Sequence, residues 1–150
     1  MIENTLFLVK PDGVQRGLVG EIIKRLEQTG LQVIGLKLIQ MTRDMAEEHY
    51  SEHKNKSFYA SLIDYITSSP VIAVAFQGPS AIGIVRRTMG STNPLEAESG
   101  TIRGDLSIEV GRNLVHGSAN ADDAKRELNL FFAEEELIQY ERSLQSWLTE

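Results

Sequence analysis

Residues Thr5 to Gln40 read "TLFLVKPDGVQRGLVGEIIKRLEQTGLQVIGLKLIQ", and the change of hydrophobic period along this stretch decides the fold. Leu6-Phe7-Leu8-Val9 is a short continuous apolar run, as in a strand buried on both faces, so Thr5–Lys10 is read as a strand. Pro11-Asp12-Gly13 is turn chemistry: proline presets its φ, aspartate bonds locally and glycine tolerates positive φ. From Val19 to Thr29 the period becomes helical, with Val19, Ile22, Ile23 and Leu26 on one face and Gly30 placed to end the last turn. Leu31–Gln40 returns to a strand pattern. One strand–helix–strand unit is complete.

A second unit follows. "VIAVAF", Val71–Phe76, is a β-branched buried strand; Gly78-Pro79-Ser80 breaks it, and Ser80 is placed to cap a helix over Ala81–Met89. Leu114–Gly117 is a short final strand. Between the units, Thr42 caps a short helix in "TRDMAEEHY", and Phe58–Ile66 is a further helix. The residues after Gly117 are read as mostly helical. Two strand–helix–strand units interleaved in one sheet give a ferredoxin-like α/β sandwich: an antiparallel four-stranded sheet in the order βαββαβ, with added helices. Parallel packing is also compatible with the alternation. At 150 residues, the chain is read as one domain over residues 1–150.

Gly90–Asn113 holds no clean period over more than twenty residues. A loop that long in a compact domain usually carries function. It contains Thr92, Asn93, Pro94, Arg103 and Arg112.

Composition narrows the chemistry. Cysteine is absent, so disulfides and thiolate metal sites are excluded. No run of eighteen apolar residues occurs, and the N-terminus carries no cleavable signal pattern; both point to a cytoplasmic protein without a membrane span. The net charge of -6 argues against general affinity for nucleic-acid backbone. The acidity is concentrated after Ala121, where eight acids face three bases. Residues 1–120 are nearly neutral, so an anionic ligand can be held there if a few bases converge.

Three histidines are available. "HYSEH", His49 to His53, matches the H-x-x-E-H zinc-protease pattern. A catalytic zinc needs a third ligand, and Glu47, Glu48 and Glu52 give this segment the composition of a solvated helix face, which is the preferred reading. His116 stands where Leu114-Val115 meets Gly117-Ser118. It is either a buried, hydrogen-bonded core histidine or a group presented at a strand end to a substrate. Ser118 lies two residues on and Glu127 in a following helix. A hydroxyl and a carboxylate near an imidazole fix its tautomer and rotamer, and histidine is among the side chains that form covalent intermediates. Neither G-x-x-x-x-G-K-[ST] nor G-x-G-x-x-G occurs, so phosphate would have to be held by side chains. Lys10, Arg86 and Arg103 lie in three separate elements and can neutralise a polyphosphate if the fold gathers them.

Four stretches together resemble the nucleoside diphosphate kinase family: "LVKPDGVQRGLVGEII" from Leu8, "TNP" from Thr92, "GTIRGD" from Gly100 and "GRNLVHGS" from Gly111, the last carrying the specific N-x-x-H-G-S signature. The resemblance runs nearly end to end. It implies the ferredoxin-like fold and transfer of a terminal phosphate from a nucleoside triphosphate to a nucleoside diphosphate through a phosphohistidine. Residue by residue, it makes His116 the nucleophile and Ser118 and Glu127 its support. Lys10, Tyr50, Arg86, Thr92, Arg103 and Asn113 match residues that contact phosphates, sugar or nucleophile, and Phe58 matches the aromatic on which the base stacks. Gly90–Asn113 matches the loop that closes one side of the nucleotide cleft. Mg²⁺ is implied as cofactor, held mainly through the nucleotide phosphates. Base selectivity is expected to be weak, because stacking reads a face that every base has. A homohexamer is implied by the C-terminal "SLQSWLTE", with a homotetramer as the alternative. Ser99 stands where many relatives have proline, and Ala119 where many have aspartate.

Overall fold

A computed structural model describes residues 1–150. The first unit forms as its pattern indicates: strand β1 over Ile2–Val9, helix α1 over Pro11–Gln15, helix α2 over Val19–Glu27 and strand β2 over Gln32–Ile39. Helices α3 (Arg43–His49) and α4 (Tyr59–Thr67) follow. The second unit comprises β3 (Val71–Pro79), α5 (Ala81–Met89), α6 (Ile102–Leu106) and β4 (Val115–Gly117), and α7 (Ala121–Phe131) completes the set. The sheet order is β2-β3-β1-β4, and each neighbouring pair is antiparallel. This is the interleaved ferredoxin-like arrangement, and parallel packing is excluded.

Successive residues of a strand face opposite sides, and β1 supplies both cores in this way. Leu6 and Leu8 join Ala73 and Ala75 of β3 under Ala46, Ile63, Ile66, Leu128 and Phe131 of α3, α4 and α7. Phe7 and Val9 join Val74 and Phe76 over Ile22, Leu26, Val85 and Met89 of α2 and α5. Leu6 to Val9 are fully buried. Each such side chain stabilises the fold by about 1.5–3 kcal/mol of transfer free energy, which fixes the register of the strand whose end carries Lys10.

Four expectations need correction. Pro11-Asp12-Gly13 is the first turn of α1, with Pro11 at a position whose missing N–H costs nothing. Strand β3 runs through Gly78-Pro79, because Ile2 and Glu3 extend β1 to pair with them. Pro79 lies beyond the last partner of β2 (Gln32 opposite Gln77), so it faces a single neighbour there. Ser80 does not cap α5 with its side chain: it sits at φ 51°, and Glu3 Oε2 accepts the Ile82 N–H at 3.0 Å instead. Beyond Phe131 the chain is not mostly helical. It holds only 3₁₀ turns at Glu134–Glu136 and Gln145–Trp147 and runs as a strap against β2. Tyr140 Oη donates to the Val33 carbonyl at 2.6 Å, and the Ile138 N–H to the Ile34 carbonyl at 2.8 Å.

Candidate active site

Strand β4 brings His116 opposite Leu8 of β1, at the end of the sheet where β1 terminates in Lys10. The backbone from Asn113 to Gly117 is the scaffold on which the candidate residues meet. The Lys10 N–H donates to the Leu114 carbonyl at 2.8 Å, and Lys10 Nζ donates to Asn113 Oδ1 at 2.5 Å. Asn113 Nδ2 donates to the Thr92 carbonyl at 2.9 Å and so ties the start of the long loop to its end. Arg103, on α6, is buried. It donates to three carbonyls, Asn113 (3.2 Å), Gly90 (3.2 Å) and Val115 (2.7 Å). Arg86, exposed on α5, leans on the Gly117 carbonyl at 3.5 Å.

These cations have gathered without a matching group of anions. Burial, then the neighbouring charge of Arg103, pushes Lys10 down to about 8; Asp12 opposes this and Arg112 adds to it. Burial, then Arg86, pushes Arg103 down to about 10. Mutual repulsion of this kind is relieved by an anionic ligand.

The imidazole of His116 is one quarter exposed, and its Nε2 shares a 2.9 Å hydrogen bond with Glu127 Oε2. The second oxygen of that carboxylate accepts the Ser118 hydroxyl at 2.6 Å. Burial opposes ionisation of Glu127, but the hydrogen bond and charge of His116, with the Ser118 bond, outweigh it and hold the carboxyl down to about 2. Helix α7 supplies Glu127, and its packing on β1 sets the distance; Asn120 caps its first turn by accepting the Asp123 N–H at 2.8 Å.

Tyr50 and Phe58 stand on the α3–α4 side. Tyr50 is buried and packs edge-on to His49 at 4.5 Å between centroids; His49 packs edge-on to His116 at 4.8 Å. Tyr50 therefore reaches His116 through the ring of His49. Phe58 is half exposed, with His53 5.6 Å from it between ring centroids and Lys56 Nζ 5.7 Å from its centroid. The nine residues singled out alongside His116 thus fall into three groups around it. Lys10, Arg86, Thr92, Arg103 and Asn113 are tied to the 113–117 backbone, to one another or to both, while Tyr50 and Phe58 form an aromatic side and Ser118 and Glu127 lie behind the ring.

"HYSEH" does not form a zinc-protease face. Helix α3 ends at His49, and His53 follows in a 3₁₀ turn, its Nε2 3.7 Å from Glu52. His49 itself turns inward, and burial, then the charge of His116, pushes it down to about 3. The sequence reading gave no role to Asp12 and Tyr65. Tyr65 Oη donates to Asp12 Oδ1, and Asp12 Oδ2 accepts the Leu114 N–H at 3.1 Å. Leu114 sits at φ 73°, a conformation rare for a branched residue. Asp12 thus pins the strained residue between Asn113 and His116. Arg112 stacks on the Tyr65 ring at 4.3 Å. The signal for Asp12 was visible but read only as turn chemistry.

Comparisons with known proteins place the chain in a family. The family model described as nucleoside diphosphate kinase matches residues 3–137. The chain is 54% identical to the nucleoside diphosphate kinase of Carboxydothermus hydrogenoformans, covering 99% of this chain and 100% of that one. It is 50% identical to that of Archaeoglobus fulgidus, over 99% of both. A halophilic nucleoside diphosphate kinase from Halobacterium salinarum, solved in complex with CDP, superposes with a TM-score of 0.97 at 44% identity, over 100% of both chains. A family protein from Babesia bovis superposes at 0.96 with 47% identity, over 98% of this chain and 99% of that one. By sequence and by fold, the chain belongs to the nucleoside diphosphate kinase family.

Proposed function

We propose that residues 1–150 form one nucleoside diphosphate kinase domain, which moves the terminal phosphate of a nucleoside triphosphate to a nucleoside diphosphate through a phosphohistidine at His116. The observation that carries this reading is the pairing of His116 Nε2 with Glu127, beside cations tied to the same short stretch of backbone. With Nε2 engaged by the carboxylate, the lone pair of Nδ1 is the one available for attack. A P–N bond forms as the bond from the γ-phosphorus to the β,γ-bridging oxygen breaks, and the diphosphate leaves with that electron pair. A second diphosphate then reverses the step through one of its β-phosphate oxygens. The same site serves both halves, which gives ping-pong kinetics. The Nε2 proton stays shared with Glu127 throughout, so the ring is held in one tautomer.

Phosphoryl transfer depends mainly on positioning and charge neutralisation. Lys10 and Arg86 face the phosphates. Arg103 holds the loop and has further N–H groups to offer an oxygen. The Thr92 hydroxyl donates to the β-phosphate, Asn113 positions Lys10, and Tyr50 backs the His49–His116 pair. Phe58 offers a stacking face that suits any base, which favours broad base specificity. Kinases of this family work with a divalent metal. The one gathering of three ligand-type side chains here combines two imidazoles and a carboxylate, a set unsuited to Mg²⁺. Mg²⁺ therefore fits as an ion carried by the nucleotide phosphates, where it supplies charge neutralisation. We place the activity in the cytoplasm, in a homohexamer or, as the alternative, a homotetramer; no helix is long and apolar enough to cross a membrane.

The test is labelling with γ-labelled ATP and Mg²⁺ followed by a basic quench, which preserves phosphohistidine. Label should appear on the wild-type chain and be lost in His116→Ala. Label retained in that variant would remove the mechanism.

A further inference from the structure

Of the buried groups around His116, His49 is the one to which phosphoryl transfer gives no chemical step. Its side chain is 1% exposed, and neither ring nitrogen has a hydrogen-bond partner. Buried polar atoms are almost always paired, so two free nitrogens on one buried ring call for an explanation. The ring is aimed at an anion: His49 Nδ1 lies 3.7 Å from Glu127 Oε2, the same oxygen that lies 2.9 Å from His116 Nε2. One ligand atom from each of the three residues lies within 4.8 Å of the others.

The donor set and its spacing have a specific meaning. Two imidazoles and one carboxylate form a tetrahedral three-residue zinc site with one position left for water. Metal–ligand bonds of about 2.0–2.1 Å place tetrahedral donors about 3.3 Å apart. The two measured edges, 2.9 and 3.7 Å, bracket that spacing. The third edge, no longer than 4.8 Å, closes by a small shift of the two imidazoles, since His49 is held by ring packing against Tyr50 and Phe131 and by no hydrogen bond. Imidazole nitrogens suit zinc-class ions, whereas Mg²⁺ prefers oxygen.

We propose that His49, His116 and Glu127 form an inhibitory site for a divalent transition-metal ion of the zinc class. The ion replaces the proton shared between His116 Nε2 and Glu127, and that proton is released to solvent. Electron density drawn from the ring through Nε2 leaves Nδ1 a poorer nucleophile, and the ring is fixed toward His49. Mg²⁺ stays on the nucleotide. The inhibitory consequence rests on the reading of His116 as the phosphate carrier; metal binding itself does not.

The experiment therefore has two arms. In the first, Zn²⁺ is titrated into the full chain without nucleotide, by calorimetry and by competition with a chromophoric chelator. One ion per chain should bind, and His49→Phe should weaken binding by more than about 100-fold. His53→Asn should bind as the wild type does. In the second, phosphohistidine formation from ATP and excess Mg²⁺ is followed by intact mass at buffered free Zn²⁺; it should fall as the site fills and recover on chelation. Should His49→Phe fail to fold, the absorption of Co²⁺ bound to the wild type decides, since a nitrogen-ligated four-coordinate site gives intense visible bands. No stoichiometric binding, loss of binding in His53→Asn with none in His49→Phe, a weak octahedral Co²⁺ spectrum, or phosphorylation unaffected by bound zinc would each overturn the proposal. Phosphohistidine that forms without zinc leaves the phosphotransfer reading intact in every one of these cases.

Discussion

Glu127 acts at both ends of one carboxylate, toward His116 on one oxygen and Ser118 on the other. Glu127→Gln keeps the shape but removes the charge that orients the imidazole and favours its correct tautomer. Phosphorylation should slow about 10- to 100-fold, measured as the single-turnover rate of phosphohistidine formation, with little change in nucleotide KM. An unchanged rate would mean that the carboxylate is only structural. Lys10 gives a pH dependence whose sign can be worked out. Its folded-state value of about 8 lies below the ordinary 10.5. Free protein thus loses the charge as pH rises through about 8, while unfolded chains keep it to about 10.5. Over that window the unfolded state holds more protons, so this group makes the free protein more stable as pH rises. Nucleotide binding follows the opposite course, because a polyphosphate needs the ammonium. Above pH 8, diphosphate affinity should fall and binding should be accompanied by proton uptake, read by calorimetry in buffers of different ionisation enthalpy. Lys10→Met should abolish the uptake.

At the scale of elements, one side chain makes three of the bonds that hold the long loop, beside the Asn113 bond to Thr92. Arg103 bridges Gly90, Asn113 and Val115 with three N–H groups of a planar fork, and lysine cannot reproduce that geometry. Arg103→Lys should therefore raise hydrogen exchange across 90–113 and reduce kcat/KM by about 10²–10³, whereas Arg103 acting only as a distant charge would let lysine substitute. Helix α1 is pressed against the same region: a Cβ on Gly13 would lie 2.6 Å from Val9 Cγ1 and 3.3 Å from the Leu114 carbonyl. Gly13→Ala should cost about 1–3 kcal/mol, seen as a lowered unfolding midpoint. Long periodic segments were legible from sequence: α2 and α5 come out within two residues of their predicted limits. Helix α6 was not, because five residues are too few to show a period; its marker is Thr101, whose Oγ1 accepts the Gly104 N–H at 3.0 Å. The C-terminal strap was missed for a different reason. It is held by pairing with distant backbone, such as Gln32 Nε2 on the Tyr140 carbonyl at 2.8 Å, which no local pattern announces. The candidate site was legible where charged or aromatic side chains fell in motifs. Asp12 is legible only as turn chemistry and His49 only as part of "HYSEH", because their partners, Leu114 and Glu127, are 102 and 78 residues away in sequence.

In the whole molecule the C-terminal strap bonds β2 at Gln32, Val33 and Ile34 and leaves the rest of that sheet edge open. Strand β2 exposes Leu36 (51%) and Leu38 (61%), and unpaired edge strands with apolar side chains invite a second chain. In the proposed homo-oligomer this edge is covered, so Leu38→Glu should lower the mass measured by light scattering. A mass unchanged from the wild type would place the interface elsewhere. Two antiparallel units, a pinned loop and a capped helix from the far end of the chain all converge on one imidazole. The most direct measurement of what that imidazole does is the intact mass of the chain after brief exposure to ATP and Mg²⁺. It should rise by one phosphoryl group and return to its starting value when a nucleoside diphosphate is added, with no rise in His116→Ala. A wild-type mass that never changes, or a gain that the diphosphate cannot discharge, would contradict the mechanism.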